Sequence, residues 1–137
     1  SSGLIGDDEL DTIFSCEYTK DSDVGTYVIT PTDCTFTSDV KNNYNIEYVN
    51  GTLSVYGSSY NKASKTVKIY SNHDTDVDCY VVSYAENGTL DGIKKEHCSL
   101  KADEISTIDI SSLNIAENDS IKIFLWDNNL TPVEITN

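Results

Sequence analysis

The stretch "NYNIEYVNGTLSV" (residues 43–55) carries the reading of the fold. Tyr44, Ile46 and Tyr48 alternate with polar or smaller residues, and Leu53 and Val55 alternate again beyond Asn50-Gly51. A period of two is the mark of a strand with one buried face. Asn-Gly between two such segments predicts a two-residue type I′ turn, because both residues tolerate positive φ. The spacing therefore predicts a hairpin, with strands over 44–49 and 52–57.

Working outward, the same pattern recurs. Thr12–Tyr18 and "TYVIT" (26–30) read as strands around the turn "TKDSDVG", and Pro31 and "TSDVKNN" (37–43) interrupt regular structure. "GSSYNKAS" (57–64) is short, polar and glycine-containing, the composition of a linker. "KTVKIYS" (65–71) places Val67 and Ile69 on one face and Lys68 on the other. Residues 76–100 read as strand, turn and strand about Asn87-Gly88, and "EISTIDI" (104–110) supplies another strand. In "SIKIFLWDNN" (120–129), Ile121, Ile123 and Leu125 share one face while Phe124 and Trp126 share the other. Apolar residues on both faces predict a central strand or one covered by a neighbouring domain. "TPVEIT" (131–136) closes the pattern as an edge strand, where Pro132 is tolerated.

No long segment has a helical period. Many short strands at this spacing predict an all-β chain of two small immunoglobulin-like or β-sandwich modules. These are residues 1–57 and 65–137, joined by a linker at 58–64.

The chain has 137 residues, with 23 acidic residues against 9 Lys and Arg, and a formal charge of −14. Such a balance disfavours nucleic acid and anionic membranes as partners. It keeps an exposed module soluble, and it attracts cations or basic partners. The apolar runs are too short to cross a bilayer, which argues against membrane insertion.

Cys16, Cys34, Cys79 and Cys98 lack any CxxC spacing, which argues against zinc. Two readings stand for them: disulfides in an oxidising setting, or free buried thiols. Cys16 with Cys34 and Cys79 with Cys98 are the local pairs. A turn centred on Asn87-Gly88 would set Cys79 almost opposite Cys98.

Catalysis finds little to stand on. There is no GxSxG, HExxH or glycine-rich phosphate loop. His97 and Cys98 are neighbours on a strand, so they point to opposite faces and make a poor dyad. Asp74, Asp76 and Asp78 in "DTDVD" are the calcium candidates, since hard oxygen donors suit that ion, but the glycine and distal Glu of an EF-hand are missing. The competing reading is a set of solvent-facing acids. Tyr44, Tyr48, Tyr56, Tyr60 and Trp126 are the ligand-binding candidates: exposed aromatics stack on sugar faces or fill a partner's pocket. The competing reading buries Trp126 in the core or between domains. The Asn-Gly-Thr triplets at Asn50 and Asn87 match a glycosylation acceptor but are explained by turn chemistry.

The segments "GLIGDDEL", "DVGTYVIT" and "NNYNIEYVNGTLSV", spanning residues 3–55, resemble the bacterial MBG-type immunoglobulin-like repeat. Gly25-Thr26-Tyr27, Asn43–Ile46 and Tyr48–Leu53 carry the likeness. Members of that family have a further β segment before the part matching Gly3-Leu4, so the first module is expected to lack its opening strand. The region from about Lys65 to Val133 resembles a β-rich module found toward the ends of secreted proteins of anaerobic Gram-positive bacteria. Tyr84, Gly88 and Phe124-Leu125-Trp126-Asp127 carry that likeness. Both resemblances imply an extracellular or bacterial cell-surface setting, and the MBG resemblance implies no catalytic residues. The expected role is a non-catalytic structural spacer or adhesion scaffold within a larger secreted or surface protein. The alternative is an accessory module that binds carbohydrate or protein. The expected partners are neighbouring domains of the same polypeptide and a cell-wall or host polysaccharide or protein, with no cofactor.

Overall fold

The computed structural model describes residues 3–37, 40–133 and 135. The chain is all-β. Among the described residues the regular structure is nine strands and one short 3-10 turn at Lys41–Asn43. The strands are β1 (Leu10–Cys16), β2 (Gly25–Phe36), β3 (Gly51–Val55), β4 (Gly57–Asn61), β5 (Thr66–Tyr70), β6 (Thr75–Tyr84), β7 (Leu90–Leu100), β8 (Ile105–Asp109) and β9 (Ser120–Trp126). They form two compact units: Ser1–Lys20 with Thr26–Ser54, and Asp21–Gly25 with Val55–Asn137. No helix among the described residues is long and apolar enough to cross a membrane.

The first unit is built on one three-stranded sheet in the order β1-β2-β3. β2 runs straight through Pro31, where the sequence predicted an interruption. The register explains this: Ile13 pairs with Asp33 but Phe14 pairs with Pro31, so Thr32 is an extra residue on β2. Proline lacks an N–H, and such a bulge is where a strand accommodates it. Thr32 Oγ1 donates to the Ile13 carbonyl at 3.3 Å and pins the bulge.

The predicted hairpin at Asn50-Gly51 does not form. Residues 45–50 have no ladder partners, β3 begins at Gly51 and joins the β1–β2 sheet, and neither Asn50 nor Gly51 has a positive φ. The alternation over 44–48 is real, but it marks an inward face: Tyr44 and Ile46 are half-buried, while Asn45 and Glu47 are exposed. An extended segment laid over a sheet shows the same period as a strand within one.

The second unit is a β-sandwich of two three-stranded antiparallel sheets, β4-β5-β8 and β7-β6-β9. The expected linker at 58–64 is not one: Gly57–Asn61 is β4, paired with β5 from Gly57 opposite Tyr70 to Asn61 opposite Thr66. Polar composition misled there because β4 is an edge strand, which solvent reaches from one side. Val67 and Ile69 of β5 and Ile108 of β8 face Val77, Cys79 and Val81 of β6, and all six lie in one buried cluster. The two inner faces interdigitate as sandwich sheets do.

β9 contributes Ile121, Ile123 and Leu125 to that cluster, the face read from the sequence. Of the two expectations, a central strand or one covered by a neighbouring domain, the first does not hold: β9 is an edge strand and β6 takes the centre. Of the expected closing strand, Pro132 bridges to Trp126 and the Val133 N–H donates to the Leu125 carbonyl at 2.8 Å, while Glu134 and Thr136 lie outside the described residues. Gly92 faces the interior, where a Cβ would meet Leu113 and Ser83 at 3.1 Å, so only glycine fits without displacing a neighbour.

Polar groups tie the sandwich at its margin. The Asp23 carboxylate accepts from Lys68 Nζ at 2.8 Å, and from Asn61 Nδ2 and Ser59 Oγ, each at 3.2 Å. The Lys68 hydrogen bond is the main force that holds the Asp23 carboxyl below its ordinary 3.8.

Two outcomes follow from this packing. Ile69 is fully buried in the shared cluster, so Ile69→Ala will lose about 2–5 kcal/mol of stability by urea denaturation followed by circular dichroism. Asp23 has a depressed folded pKa, so its contribution is present above the unfolded value and lost as pH falls through the folded one. Stability will therefore fall below about pH 4, and Asp23→Asn will flatten that acid limb; an unchanged limb contradicts the assignment.

Candidate functional site

The first unit carries a groove of about 840 Å³. Leu10, Thr12, Cys34 and Phe36 of the sheet form its floor, and the extended segment from Asn43 to Val49 forms its wall. In the β1–β2 register Leu10 faces Phe36 and Thr12 faces Cys34, so these four side chains share one side of the sheet.

Two of the predicted tyrosines meet here. The Tyr44 ring stacks on Phe36 with centroids 5.0 Å apart and planes 15° from parallel. Its hydroxyl donates to Asp8 Oδ2 at 2.6 Å and accepts from the Ile5 N–H at 3.1 Å. Tyr48 is 42% exposed, with its hydroxyl 3.4 Å from both Asp33 Oδ1 and Cys34 Sγ. Lys41 Nζ donates to Asp33 Oδ1 at 2.8 Å and to the Cys34 carbonyl at 3.0 Å.

The electrostatics follow from these contacts. Lys41 holds the Asp33 carboxyl below its ordinary range, and Asp33 raises Lys41 in return. The Asp8 carboxylate raises the Tyr44 phenol, and contact with Cys34 raises that of Tyr48. Both phenols therefore stay protonated as donors. The groove combines a largely apolar floor with Asn43, Asn45, Glu47 and the two tyrosines along its wall.

The other predicted aromatics lie in the second unit. Tyr56 stacks on Tyr70 at 4.8 Å and donates to Asp103 Oδ1 at 2.7 Å. Tyr60, half-buried, packs against the sandwich core. Two of the four tyrosines thus lie in each unit. Trp126 sits on the outer face of the β7-β6-β9 sheet, where Asp78 lies opposite it on β6 and His97 opposite Asp78 on β7. The next row along is Phe124, Tyr80 and Lys95. Trp126 lies 5.3 Å from the Tyr80 ring and 6.4 Å from Phe124. Tyr80 was not singled out from the sequence. Its alternation with Cys79 and Val81 was visible, but its neighbours depended on a register that only the fold supplies.

With this geometry in view, the comparisons speak to the first unit. Residues 1–54 match the MBG domain (YGX type). The match ends where the first unit ends, at Ser54, and agrees with the resemblance read from residues 3–55. No curated protein and no solved structure matches the chain. Both groove tyrosines therefore belong to the MBG-matching segment, and Trp126 lies outside it.

Of the calcium candidates Asp74, Asp76 and Asp78, the first and last are bonded to lysines. Asp74 is held by Lys101 Nζ and the Ala102 N–H, each at 2.9 Å, while Asp78 is held by Lys95 Nζ at 2.7 Å and faces His97 Nδ1 at 3.1 Å. Among the described residues no three His, Cys, Asp or Glu side chains gather to hold a metal. Lys95 is the main cause of the low Asp78 carboxyl pKa, with His97 second.

All four cysteines are free thiols in this structure. Thr12 stands opposite Cys34, so Cys16 lies four residues further along β1, about 13 Å away and outside disulfide reach. The second hairpin turns through Ala85–Thr89, where the Ala85 N–H donates to the Thr89 carbonyl and Gly88 takes φ +81°. Asn87 Oδ1 accepts from the Thr89 N–H and hydroxyl. This longer loop, with a register shift at Ser83/Tyr84, sets Cys79 opposite Glu96 and Cys98 opposite Val77. The two cysteines are diagonal neighbours on the inner face, almost opposite each other, and His97 is on the outer one.

Burial pushes the Cys79 thiol up to about 12, and burial also raises Cys98. A thiol is a nucleophile only as thiolate. Iodoacetamide at pH 8 will therefore modify half-exposed Cys16 in the folded protein and spare Cys79 until denaturant is added. Peptide mass mapping reads the order, and prompt native labelling of Cys79 contradicts this packing.

Proposed function

We propose that the chain is a non-catalytic extracellular module of a larger bacterial secreted or cell-surface protein, acting as a spacer or adhesion scaffold. The match of residues 1–54 to the MBG domain carries this reading. The all-β build supports it: the second unit's sheets bury their inner faces against each other, as in rigid extracellular sandwiches. The resemblance of residues 65–133 to a module of secreted Gram-positive proteins points the same way. The partners on this reading are neighbouring domains of the same polypeptide and a wall or host polysaccharide or protein.

A second reading, an accessory binding module, is favoured by one observation. Tyr44 and Tyr48 line the same groove, with a largely apolar floor and Asn43, Asn45 and Glu47 along its wall.

Surface exposure tests the first reading. Antibody raised against residues 1–137 will label intact, unpermeabilised cells of the source bacterium, and trypsin shaving of those cells will release peptides from the chain. Recovery of the protein from the cytosolic fraction alone overturns the proposal.

A further inference from the structure

We infer that the outer face of the β7-β6-β9 sheet is a binding platform for a neutral polysaccharide. This rests on the accessory-binding reading and moves the site from the first unit's groove to the second unit. The register places two rows side by side: His97, Asp78 and Trp126, then Lys95, Tyr80 and Phe124. Three strands span about 10 Å, and successive rows lie about 7 Å apart. That is an area on which a chain of sugars can lie flat.

The chemistry of the two rows is divided lengthwise. On the β9 side Trp126, Phe124 and Tyr80 form a continuous aromatic cluster, with centroid separations of 5.3 Å from Trp126 to Tyr80 and 6.4 Å from Trp126 to Phe124. On the β7 side Asp78 bonds Lys95 at 2.7 Å and faces His97 at 3.1 Å. Lys95 Nζ also lies 5.4 Å from the Tyr80 ring centroid. A pyranose ring has the matching division, with a face of C–H groups and a rim of hydroxyls. The aromatic strip takes the C–H face. The polar strip takes the hydroxyls: Lys95 and His97 are half-exposed and meet them, while Asp78 holds both side chains in place.

Charge selects a neutral ligand. The chain carries −14, yet on this face Lys95 and Lys122 offset Asp76 and Asp78. Asp78 and Lys95 already neutralise each other, so a charged ligand would have to break that pair. Hydroxyls can join the network without doing so. A peptide would need exposed backbone partners, and the interior of a three-stranded sheet face offers side chains only.

Trp126 is the chain's one tryptophan, so emission excited at the red edge of the absorption band, where tyrosine does not absorb, reports on this face. The test titrates the whole chain with neutral oligosaccharides (β-glucan, mannan and xylan fragments), and runs affinity electrophoresis through gels holding the parent polysaccharides. At least one will change Trp126 emission saturably and retard migration. Trp126→Ala and Phe124→Ala will each weaken retardation at least tenfold, with Trp126→Phe losing less. Thermal melts establish that each variant is folded.

The competing site is tested by Tyr44→Ala together with Tyr48→Ala, which strips the first unit's groove of its two tyrosines. If that pair abolishes binding while Phe124→Ala does not, the inference fails and the binding reading survives at the groove. If none of these polysaccharides binds, or retention appears only with charged polysaccharides and vanishes in salt, the inference is overturned. Surface labelling judges the scaffold reading separately in every case.

Discussion

The second unit depends on one constraint: neither of its sheets has more than three strands, so neither can hold its inner face dry alone. Val67, Ile69 and Ile108 from one sheet and Val77, Cys79 and Val81 from the other close over one another and exclude water. Burial of side chains this size contributes roughly 1.5–3 kcal/mol each, which offsets the entropy of ordering short strands. The requirement reaches into details that look unrelated. Gly92 has no side chain because Leu113 and Ser83 already occupy the space. Ser83, fully buried, turns its hydroxyl toward the Gly92 carbonyl at 3.4 Å.

Once the inner faces are spent on each other, the outer faces are where polar and aromatic residues can meet. Period-two alternation makes this automatic, since each inward Val or Cys on β6 is flanked by outward Asp78, Tyr80 and Val82. Packing and recognition are thereby separated residue by residue along the same strand. The first unit uses a different device. Its one sheet is partly lined by the extended segment 43–49 rather than by a second sheet, and the result is a groove with tyrosines on its wall.

The cysteines show how the interior governs chemistry. Cys79 and Cys98 face the core, where charge is disfavoured, and their thiols behave as small apolar groups. Acidic groups follow the opposite rule. Asp23, Asp33, Asp74 and Asp78 are each held by a lysine, and their carboxyls stay ionised. A chain so acidic is thus not uniformly negative in its local fields.

The all-β class, the strands at 66–70, 75–84 and 120–126, and the inward set Ile121, Ile123 and Leu125 were legible because a strand's alternation is local: residue i and residue i+2 share a face wherever the strand ends up. The MBG resemblance was legible for the same reason, as a string of turn and aromatic residues. The two hairpins β1–β2 and β6–β7 were legible as strand, turn and strand. The diagonal placing of Cys79 and Cys98 was legible too, since a turn centred on Asn87-Gly88 pairs Cys79 with Glu96 and Cys98 with Val77, as the ladder does. Other placements were not. Segment 44–49 alternates yet joins no ladder, polar 57–61 is a strand, and β9 is an edge rather than the centre. The meeting of Tyr80 with Trp126 was equally invisible. Sequence by itself determined which side chains turn inward, since that follows from backbone pleat. Tertiary structure decided which strands lie side by side, because ladder hydrogen bonds are the same for every residue pair and only the packed core selects among registers.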